Sequence, residues 1–312
     1  MKAVQISQYG DAGVLTVSRS AAKPSAGEGQ VLVEVHAASV NPVDTMLRLG
    51  YMQKMMPLTF PATLGTDMAG VVVEVGPKAG GFSKGDKVYG MASLLAGASG
   101  AFAEYAAVPA GLIARFPSPL GFSEAAALPL TAVSALEVIE EKLKVQKGQK
   151  ILIHGGAGGI GTIAIQIAKH HGAFVATTGL GEAAGYLKDL GADTIINFEK
   201  EAFETLLSGY DFVFDTVAGD TYKKSFAVLK KGGTIISMLE QPNAELASKY
   251  GVTALAQATQ VTTGRLERVG ELVSKGIIKV HVEKTYPVEN VKDAFLARES
   301  GKVKGKVVLT FK

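Results

Sequence analysis

The sequence predicts an α/β protein in which a doubly wound parallel sheet is joined to a separate β-rich domain. Three observations lead to this fold class. A glycine-rich turn at 154–161 separates a short apolar run from a segment with helical spacing. Strand-like and helix-like segments then alternate as far as residue 256, which is typical of a parallel sheet covered by helices. Residues 1–118 instead hold short strand-like runs broken by glycine and proline, as in a small barrel or sandwich.

The composition is that of an ordinary globular protein. The 312 residues exceed one typical domain, and 47% of them are apolar and 20% charged. The net charge of +3 gives no reason to expect a nucleic-acid partner. Neither a signal-peptide pattern nor an apolar run of membrane-spanning length is present, so we expect no membrane association and a cytoplasmic location.

The absence of cysteine narrows the possible chemistry. It excludes disulfides, thiol catalysis and every zinc site built on thiolates. The five histidines show none of the short spacings that hold a metal on one helix face. We therefore expect no metal, and a site made only of histidine and carboxylates is the remaining alternative.

In the first third of the chain, Gln30–Ala38 alternates apolar and polar side chains, as a half-buried strand does. Asn41-Pro42 marks a turn, because proline disfavours helical backbone at the preceding residue, and one or two helical turns could follow at 45–49. The other strand-like segments of this part are 2–6, 15–17, 71–76, 85–89 and 100–105. Ser123 could cap a short helix, and a longer helix is predicted at 132–142.

The glycine-rich turn fits the pattern G-x-G-x-x-G at Gly156, Gly158 and Gly161. Such glycines permit a sharp bend, a close approach of a pyrophosphate, and close packing of the helix on the strand. The helix N-terminus that follows offers unpaired N–H groups to phosphates. We expect a dinucleotide site, and a glycine turn without a ligand is the alternative. The candidate cofactor contacts in this turn are Gly156, Ala157, Gly158, Gly159, Ile160 and Gly161.

The alternating part predicts six strands, at 151–153, 174–178, 194–196, 211–215, 234–238 and 253–256. The helices between them are predicted at 160–169, 182–190, 202–207 and 221–229. A helix at 263–275, a strand at 278–282, a helix at 291–299 and a strand at 306–311 complete the chain. His154 ends the first of these strands, and we expect its ring to be packed or bonded to backbone.

Eight short motifs follow one another along the chain. They are Ala37-Ala-Ser-Val-Asn-Pro-Val-Asp44, Gly65-Thr-Asp-Met-Ala-Gly70, Gly85-Asp-Lys-Val-Tyr89, Gly100-Ala-Phe-Ala-Glu-Tyr105, Leu128-Pro-Leu-Thr-Ala132, Gly155-Gly-Ala-Gly-Gly-Ile-Gly161, Leu190-Gly-Ala-Asp193 and Gly305-Lys-Val-Val-Leu309. With them the whole chain resembles the medium-chain dehydrogenase/reductase superfamily, and within it the zinc-free quinone oxidoreductase and enone (alkenal) reductase branch. Zinc-dependent relatives carry a cysteine near 41–44 and a Gly-His-Glu motif near 65–67, and this chain has neither.

The resemblance implies a fold with two domains. A GroES-like β-barrel catalytic domain is expected over 1–120 and 259–312. A Rossmann dinucleotide-binding domain is expected over 121–258. The resemblance also implies a homodimer, with the strands near Ile235 and Leu255 as its candidate interface.

The resemblance further implies three catalytic candidates. Asn41 and Asp44 lie at the turn that the family places beside the nicotinamide, and turn formation is the alternative role for both. Tyr51 matches a tyrosine of related enone reductases that could stack on a substrate or donate a proton, and a surface or core position is the alternative. Arg48 could meet an anionic group, but we expect it on a solvated helix face. Asp67 is expected to serve structure.

Other residues match family segments near the cofactor. Thr131 aligns with a position close to the nicotinamide carboxamide, and a helix N-cap is its alternative role. The ends of the fourth and fifth predicted strands match segments lying under the cofactor, and ordinary strand ends are the alternative. The cofactor contacts implied there are Asp215, Val217, Ser237, Met238 and Leu239.

The segment after the second predicted strand indicates whether the cofactor is NADPH or NADH. A carboxylate about twenty residues beyond the glycine motif would bind the ribose of NAD, whereas Thr177 and Thr178 stand there, so Thr178 is a candidate cofactor contact. This favours NADPH. Relatives that use NADPH usually carry serine and then Lys or Arg just after this strand, but 179–183 read Gly, Leu, Gly, Glu and Ala. Lys304 could reach the phosphate instead, and NADH stays the alternative.

These features predict an NADPH-dependent reductase that transfers hydride to small quinones or α,β-unsaturated carbonyl compounds without a metal. A conjugated double bond needs less polarisation than an isolated carbonyl, for which zinc would serve as Lewis acid. The alternatives are an enoyl-thioester reductase and a structural or regulatory protein that binds NADPH without turnover.

Overall fold

The computed structural model describes residues 1–311, and their contacts divide the chain into two compact units. The first unit holds Met1–Leu130, Val261–Lys275 and the chain from Val280 onward, and the second holds Thr131–Gln260 with Gly276–Lys279. The predicted order of a β-rich part, an α/β part and a return to the first part is therefore present.

The N-terminal part of the first unit is mostly strand. Its elements are β1 (Ala3–Ile6), β2 (Thr16–Ser18), β3 (Gln30–Ser39), α1 (Pro42–Arg48), β4 (Ala62–Thr63), β5 (Asp67–Val75), β6 (Lys87–Met91), β7 (Tyr105–Pro109), β8 (Ile113–Arg115) and α2 (Phe122–Ala126).

Helices and strands alternate in the next part. They are α3 (Pro129–Leu136), a π-helical turn (Glu137–Lys142), β9 (Lys150–Ile153), α4 (Gly159–His170), β10 (Phe174–Gly179), α5 (Ala184–Asp189), β11 (Thr194–Asn197), α6 (Phe203–Leu206), β12 (Tyr210–Asp215), α7 (Gly219–Ser225), β13 (Leu229–Ser237), α8 (Ala244–Tyr250) and β14 (Thr253–Ala256). The chain then forms α9 (Thr263–Ser274), β15 (Val282–Pro287), α10 (Val291–Glu299) and β16 (Lys306–Thr310).

Two sheets build the first unit. A small sheet has the order β2-β1-β4, and a larger one runs β15-β16-β3-β5-β6-β8 with β7 also paired to β3. A continuous apolar core joins them, and the aromatic side chains Phe102 and Phe295 meet in it edge to face.

The strand register of this sheet sets up the polar cluster described below. Ser39 lies opposite Asp67 in the antiparallel pair β3–β5, and opposite Val308 in the pair β3–β16. Continuing the second register by two residues places Lys306 opposite Asn41. The ends of three neighbouring strands therefore bring one lysine, one amide and one carboxylate together.

The second unit is a six-stranded parallel sheet in the order β11-β10-β9-β12-β13-β14. This is the doubly wound order in which the chain starts at β9, builds outward through β10 and β11, and returns to the other side of β9. Ligands of such sheets bind at the carboxyl ends of the strands where the order reverses. The turn after β9 lies at that point. The α/β fold class predicted from the sequence is confirmed.

Three local predictions differ from the structure. The strand predicted at 278–282 begins only at Val282, because both backbone groups of Lys279 bond to the side chain of Gln166 instead of to a neighbouring strand. The segment 121–130 lies in the first unit and not in the dinucleotide-binding part, since α2 packs on β3 and β5. Gly121 caps α2 in place of Ser123, with its N–H donating to Glu124.

Arg48 is also placed differently from the prediction. Its side chain is 2% exposed and not on a solvated face. The guanidinium donates to Glu299 at 2.8 Å and lies over the ring of Phe295. Within residues 1–311, no helix is both long and apolar enough to cross a membrane.

Candidate cofactor and active site

The turn after β9 leaves almost no room for side chains. A Cβ on Gly161 would meet the Gly155 carbonyl oxygen and lie 2.7 Å from the Gly156 Cα. A Cβ on Gly156 would meet the Thr177 hydroxyl and lie 3.1 Å from Ile165. The first contact packs α4 against the turn, and the second packs the turn against β10. These two glycines are required by the fold of the turn itself.

The start of α4 presents free hydrogen-bond donors. Its N-cap is Gly158, which has no side chain to accept from the first helical N–H groups. Those groups have no partner within a helix, and the helix dipole adds partial positive charge there. The N–H of Gly158 itself closes the turn on the Gly155 carbonyl at 3.0 Å. The N-terminus of α4 therefore suits a phosphate, and the close backbone packing beside it suits a pyrophosphate. The residues fit a dinucleotide.

The neighbouring strand β10 supports the turn from inside. The Thr178 carbonyl accepts from Gly156 N–H at 3.0 Å, and the Thr178 hydroxyl accepts from Gly155 N–H at 3.3 Å. The Thr177 hydroxyl donates to the Ile153 carbonyl at 2.7 Å. Both threonines are buried. The polar groups of Thr178 therefore bond to the turn, which supports a structural role, and its predicted contact with the cofactor stays a prediction.

Two more strand ends lie in the same sheet. The Asp215 carboxylate accepts from the N–H groups of Val217 and Ala218 at 3.0 Å and from the Ser237 hydroxyl at 2.7 Å. Ser237 in turn accepts from the N–H of Leu239. Asp215 and Ser237 are fully buried and hold the two strand ends together.

The apolar side chains beside these strand ends face outward. Val217 is 48% exposed and Leu239 57%, while Met238 between them is bonded through its N–H to the Asp215 carbonyl. Exposed apolar side chains at the carboxyl edge of a parallel sheet provide a surface on which a flat ring can lie. The predicted contacts at Val217 and Leu239 are thus accessible, whereas Asp215 and Ser237 act on the backbone beneath them.

The turn that follows β10 contains no basic residue. Gly181–Ala183 forms a short 3₁₀ turn that holds the exposed Glu182. The carboxyl end of β10 is where the adenosine ribose lies in doubly wound folds. No carboxylate stands at that strand end itself, since Thr177, Thr178 and Gly179 complete the strand.

The predicted catalytic residues of the first unit belong to a buried polar cluster. It comprises Ser39, Asn41, Asp44, Thr66, Asp67 and Lys306, and all six are buried. The Asn41 amide donates to Asp67 at 2.9 Å, and the Lys306 ammonium donates to the Asn41 side-chain oxygen and to the Val40 carbonyl at 3.1 Å. A second Asp67 oxygen accepts from the Leu130 N–H at 3.1 Å.

Asp44 links the cluster to α1. Its carboxylate accepts from the backbone N–H of Asn41 at 2.8 Å, which completes a capping box at the start of the helix, and from the Thr66 hydroxyl at 2.8 Å. Asn41 and Asp44 therefore use their polar groups internally. These contacts support a role in shaping this region, and the catalytic role of both residues stays a prediction.

Burial changes the acidity of the cluster. It raises the pKa of Asp44 to about 7 and that of Asp67 to about 6, although hydrogen bonds and the charge of Lys306 lower both. Burial lowers the pKa of Lys306 to about 8 against the attraction of the two carboxylates. Burial thus shifts the pKa values of the two carboxyl groups up and the pKa of the ammonium group down.

The other predicted residues are more scattered. Tyr51 follows α1 in a series of turns, and its side chain is 74% exposed. Thr131 is buried in the first turns of α3 and is not its N-cap. Lys304 lies just before β16 in the first unit and is half-buried.

Two parts of these arrangements were not predicted from the sequence. No role in this cluster was predicted for Lys306, although a lysine opening an otherwise apolar strand is a signal for a buried partner. Ser225, which bonds the His154 ring at 2.9 Å, lies too far along the chain for any local pattern to identify it.

Two family descriptions match the chain. "Alcohol dehydrogenase GroES-like domain" matches residues 27–118, and "Zinc-binding dehydrogenase" matches residues 190–309. Despite the second description, residues 1–311 contain no group of three or more His, Cys, Asp or Glu side chains that could hold a metal. Metal-free chemistry stays a prediction.

Known proteins resemble the chain over nearly its full length. The 2-methylene-furan-3-one reductase of Solanum lycopersicum is 38% identical, over 99% of this chain and 79% of that protein. The chloroplastic NADPH-dependent alkenal/one oxidoreductase of Arabidopsis thaliana is 35% identical over the same shares. The structure of the quinone oxidoreductase from Coxiella burnetii superposes with a TM-score of 0.92, at 32% identity, over 100% of this chain and 99% of that one.

The fold, the glycine turn and these relatives agree with one another, and the chain belongs to the medium-chain dehydrogenase/reductase family, among its quinone oxidoreductase and enone reductase members.

Proposed function

We propose that the chain is an NADPH-dependent reductase that delivers hydride to α,β-unsaturated carbonyl compounds or quinones without a metal. The observation that carries this proposal is the turn after β9, where Gly156 and Gly161 admit no side chain and α4 begins with uncapped N–H groups. The relatives are named as reductases of a methylene-furanone, of alkenals and of quinones, which supports the substrate class.

The chain's own residues would bind the cofactor in two places. The backbone N–H groups of Gly159, Ile160 and Gly161, at the start of α4, would hold the pyrophosphate. Val217, Met238 and Leu239 would support its flat rings, with Thr131 near the carboxamide. When bound, the reduced nicotinamide supplies the hydride. The protein's contribution to rate is then to hold cofactor and acceptor in a reactive orientation.

We propose that Tyr51 acts on the substrate and that the buried cluster supports it. Hydride addition at the β-carbon of an enone leaves negative charge that spreads onto the carbonyl oxygen, and a proton at the α-carbon completes the reduction. Tyr51, whose side chain is largely exposed, is the candidate proton donor or stacking surface. Asn41 and Asp44 position the segment that leads to it, because both fix the start of α1.

We propose NADPH over NADH because β10 ends without the carboxylate that would bind an unphosphorylated ribose. Glu182 works against a 2′-phosphate, and Lys304 is the predicted compensating cation. The substitution Glu182→Ala removes this carboxylate, and it should lower the KM for NADPH a few-fold and leave the KM for NADH unchanged. Equal changes for both cofactors would contradict the assignment.

Turnover distinguishes the possible activities. Purified protein is mixed with NADPH and with a 2-alkenal, a cyclic enone, a benzoquinone or an enoyl thioester, and loss of NADPH absorbance is followed. We expect turnover with the first three classes. Turnover with the thioester alone would establish the enoyl-thioester alternative, and tight NADPH binding without any turnover would establish a binding protein.

We also propose a homodimer formed through β14. This strand is at the edge of the parallel sheet and pairs only with β13 among the described residues. Its Leu255 is partly exposed, and an open strand edge with an apolar side chain favours pairing with a second copy. Light scattering should give twice the chain mass, and Leu255→Lys should halve it. A monomeric wild-type protein would refute this interface.

A further inference from the structure

His154, the last residue before the glycine turn, uses every polar atom it has. Its N–H donates to the Phe214 carbonyl at 3.0 Å, and its carbonyl accepts from the Thr216 hydroxyl at 2.8 Å. The buried ring contacts Thr178 through Nδ1 at 3.1 Å and Ser225 through Nε2 at 2.9 Å. The ring therefore joins the turn, β10 and α7.

The Ser225 hydroxyl determines which ring nitrogen carries the proton. This hydroxyl lies 2.6 Å from the Thr221 carbonyl, which can only accept, so its single hydrogen points there. Its oxygen must then accept from the ring, which requires a hydrogen on Nε2 of His154. In the neutral ring Nδ1 is consequently an acceptor.

The hydrogen of the Thr178 hydroxyl is also fixed in direction. Because Nδ1 accepts, the Thr178 hydroxyl donates its hydrogen to the ring. The Thr178 oxygen is then oriented to accept from the N–H of Gly155, the first glycine of the turn. One directed chain thus runs from Gly155 through Thr178, His154 and Ser225 to the Thr221 carbonyl.

We propose that His154, held as the Nε2–H tautomer by Ser225, is a positioning residue that sets the geometry of the glycine turn through Thr178 and thereby the affinity for NADPH. The inference rests on the proposed function, because it assigns the residues that prepare the same cofactor site. His154 itself is fully buried and acts only through Thr178.

The surroundings of the ring keep it neutral. Burial lowers its pKa to about 4, although the charges of Asp215 and Glu204 raise it. Phe203 packs edge to face on the ring at 4.6 Å between centroids and offers no hydrogen bond. A protonated ring would be a donor at both nitrogens and would turn the Thr178 hydroxyl away, which breaks the chain at the residue beside the turn.

Three substitutions at one position separate hydrogen bonding from packing. In His154→Asn the amide oxygen can replace Nδ1 and still accept from Thr178. In His154→Gln the longer amide reaches Ser225 instead, and in His154→Leu neither bond remains. By fluorescence titration we expect the Kd for NADPH to stay within about twofold in the Asn variant and to rise about fivefold or more in the other two, the loss of one modest hydrogen bond.

Controls test whether the effect passes through Thr178. Phe203→Leu removes packing on the ring without touching its hydrogen bonds, so it should lower stability and leave the Kd unchanged. Thr178→Val should weaken NADPH binding as His154→Leu does, and the double variant should be no weaker than either. Should the His154 variants fail to fold, Ser225→Ala replaces them, with a rise in Kd expected because the tautomer is then no longer fixed.

A spectroscopic readout on the cofactor-free protein keeps this inference separate from the proposed function. Nitrogen-15 shifts of the ring should show a protonated Nε2 and an unprotonated Nδ1, and the Gly155 amide should exchange with solvent faster in His154→Leu than in His154→Asn. An Nδ1–H ring, or equal Kd values for the Asn and Leu variants, would overturn the inference. Failure of the wild-type protein to bind NADPH with the expected tautomer present would overturn the proposed function instead.

Discussion

Replacing Gly161 with alanine tests the account of the glycine turn most sharply, because local helix propensity and the structure predict opposite signs. Gly161 lies in the first turn of α4, where propensity alone makes alanine better by about 1 kcal/mol. The structure places the new Cβ 2.7 Å from the Gly156 Cα and 2.9 Å from the Gly155 carbonyl carbon. These are backbone atoms, so relief requires α4 to retreat by on the order of 1 Å, which typically costs about 1–3 kcal/mol.

The matched control is Gly185→Ala. Gly185 is also helical and in the same unit, but a Cβ there would meet nothing within 4 Å. It should stabilise the protein by about 0.5–1 kcal/mol and leave the Kd for NADPH unchanged. Gly161→Ala should lower the urea midpoint and weaken NADPH binding at least tenfold. A stabilised Gly161→Ala protein with normal NADPH affinity would refute the reasoning.

Further predictions concern charge, pH and metal. Lys306→Met leaves the carboxyl groups of Asp44 and Asp67 buried without their cation, and it should lower the free energy of unfolding in urea by about 3–5 kcal/mol. The double variant Lys306→Met/Asp67→Asn should recover part of this loss. Equal losses in the single and double variants would contradict the charge balance inferred for the cluster. The pKa of His154 falls from 6.5 in an unfolded chain to about 4 in the folded protein. The stability that the neutral ring contributes is therefore complete above pH about 6.5 and is lost as the pH falls towards 4, by about 3 kcal/mol at most. His154→Asn should have a flatter pH–stability curve than the wild-type protein, and parallel curves for the two proteins would refute this. Dialysis against a chelator should leave turnover unchanged, and loss of activity that zinc restores would overturn the metal-free mechanism.

The second unit was largely predictable from the sequence because its signals are local. Most of its strands contain a short apolar run, α4 shows the helical period, and the glycines that mark the turn lie close together. The predicted strands at 151–153, 174–178 and 253–256 agree with β9, β10 and β14 within one or two residues. Local pattern was sufficient wherever neighbouring residues determined the structure.

The site contacts depended on strand register and burial, which a single sequence does not display. Asn41 and Asp67 meet only because Ser39 pairs with Asp67, and Lys306 joins them only because β16 returns beside β3. The charge of Arg48 suggests a surface position, yet the side chain is buried and pairs with Glu299 of α10. Long-range pairing of this kind explains why roles predicted for individual polar residues were less accurate than the fold.

The most direct test of the central claim follows a labelled hydride. The protein is supplied with NADPH that carries deuterium at the transferable position and with a cyclic enone, and the saturated ketone is analysed by NMR. We predict deuterium on the former β-carbon, no deuterium on the α-carbon in ordinary water, and a much slower reaction of Gly161→Ala at limiting NADPH. A product without deuterium, or an unchanged rate of the Gly161→Ala protein at limiting NADPH, would contradict the account.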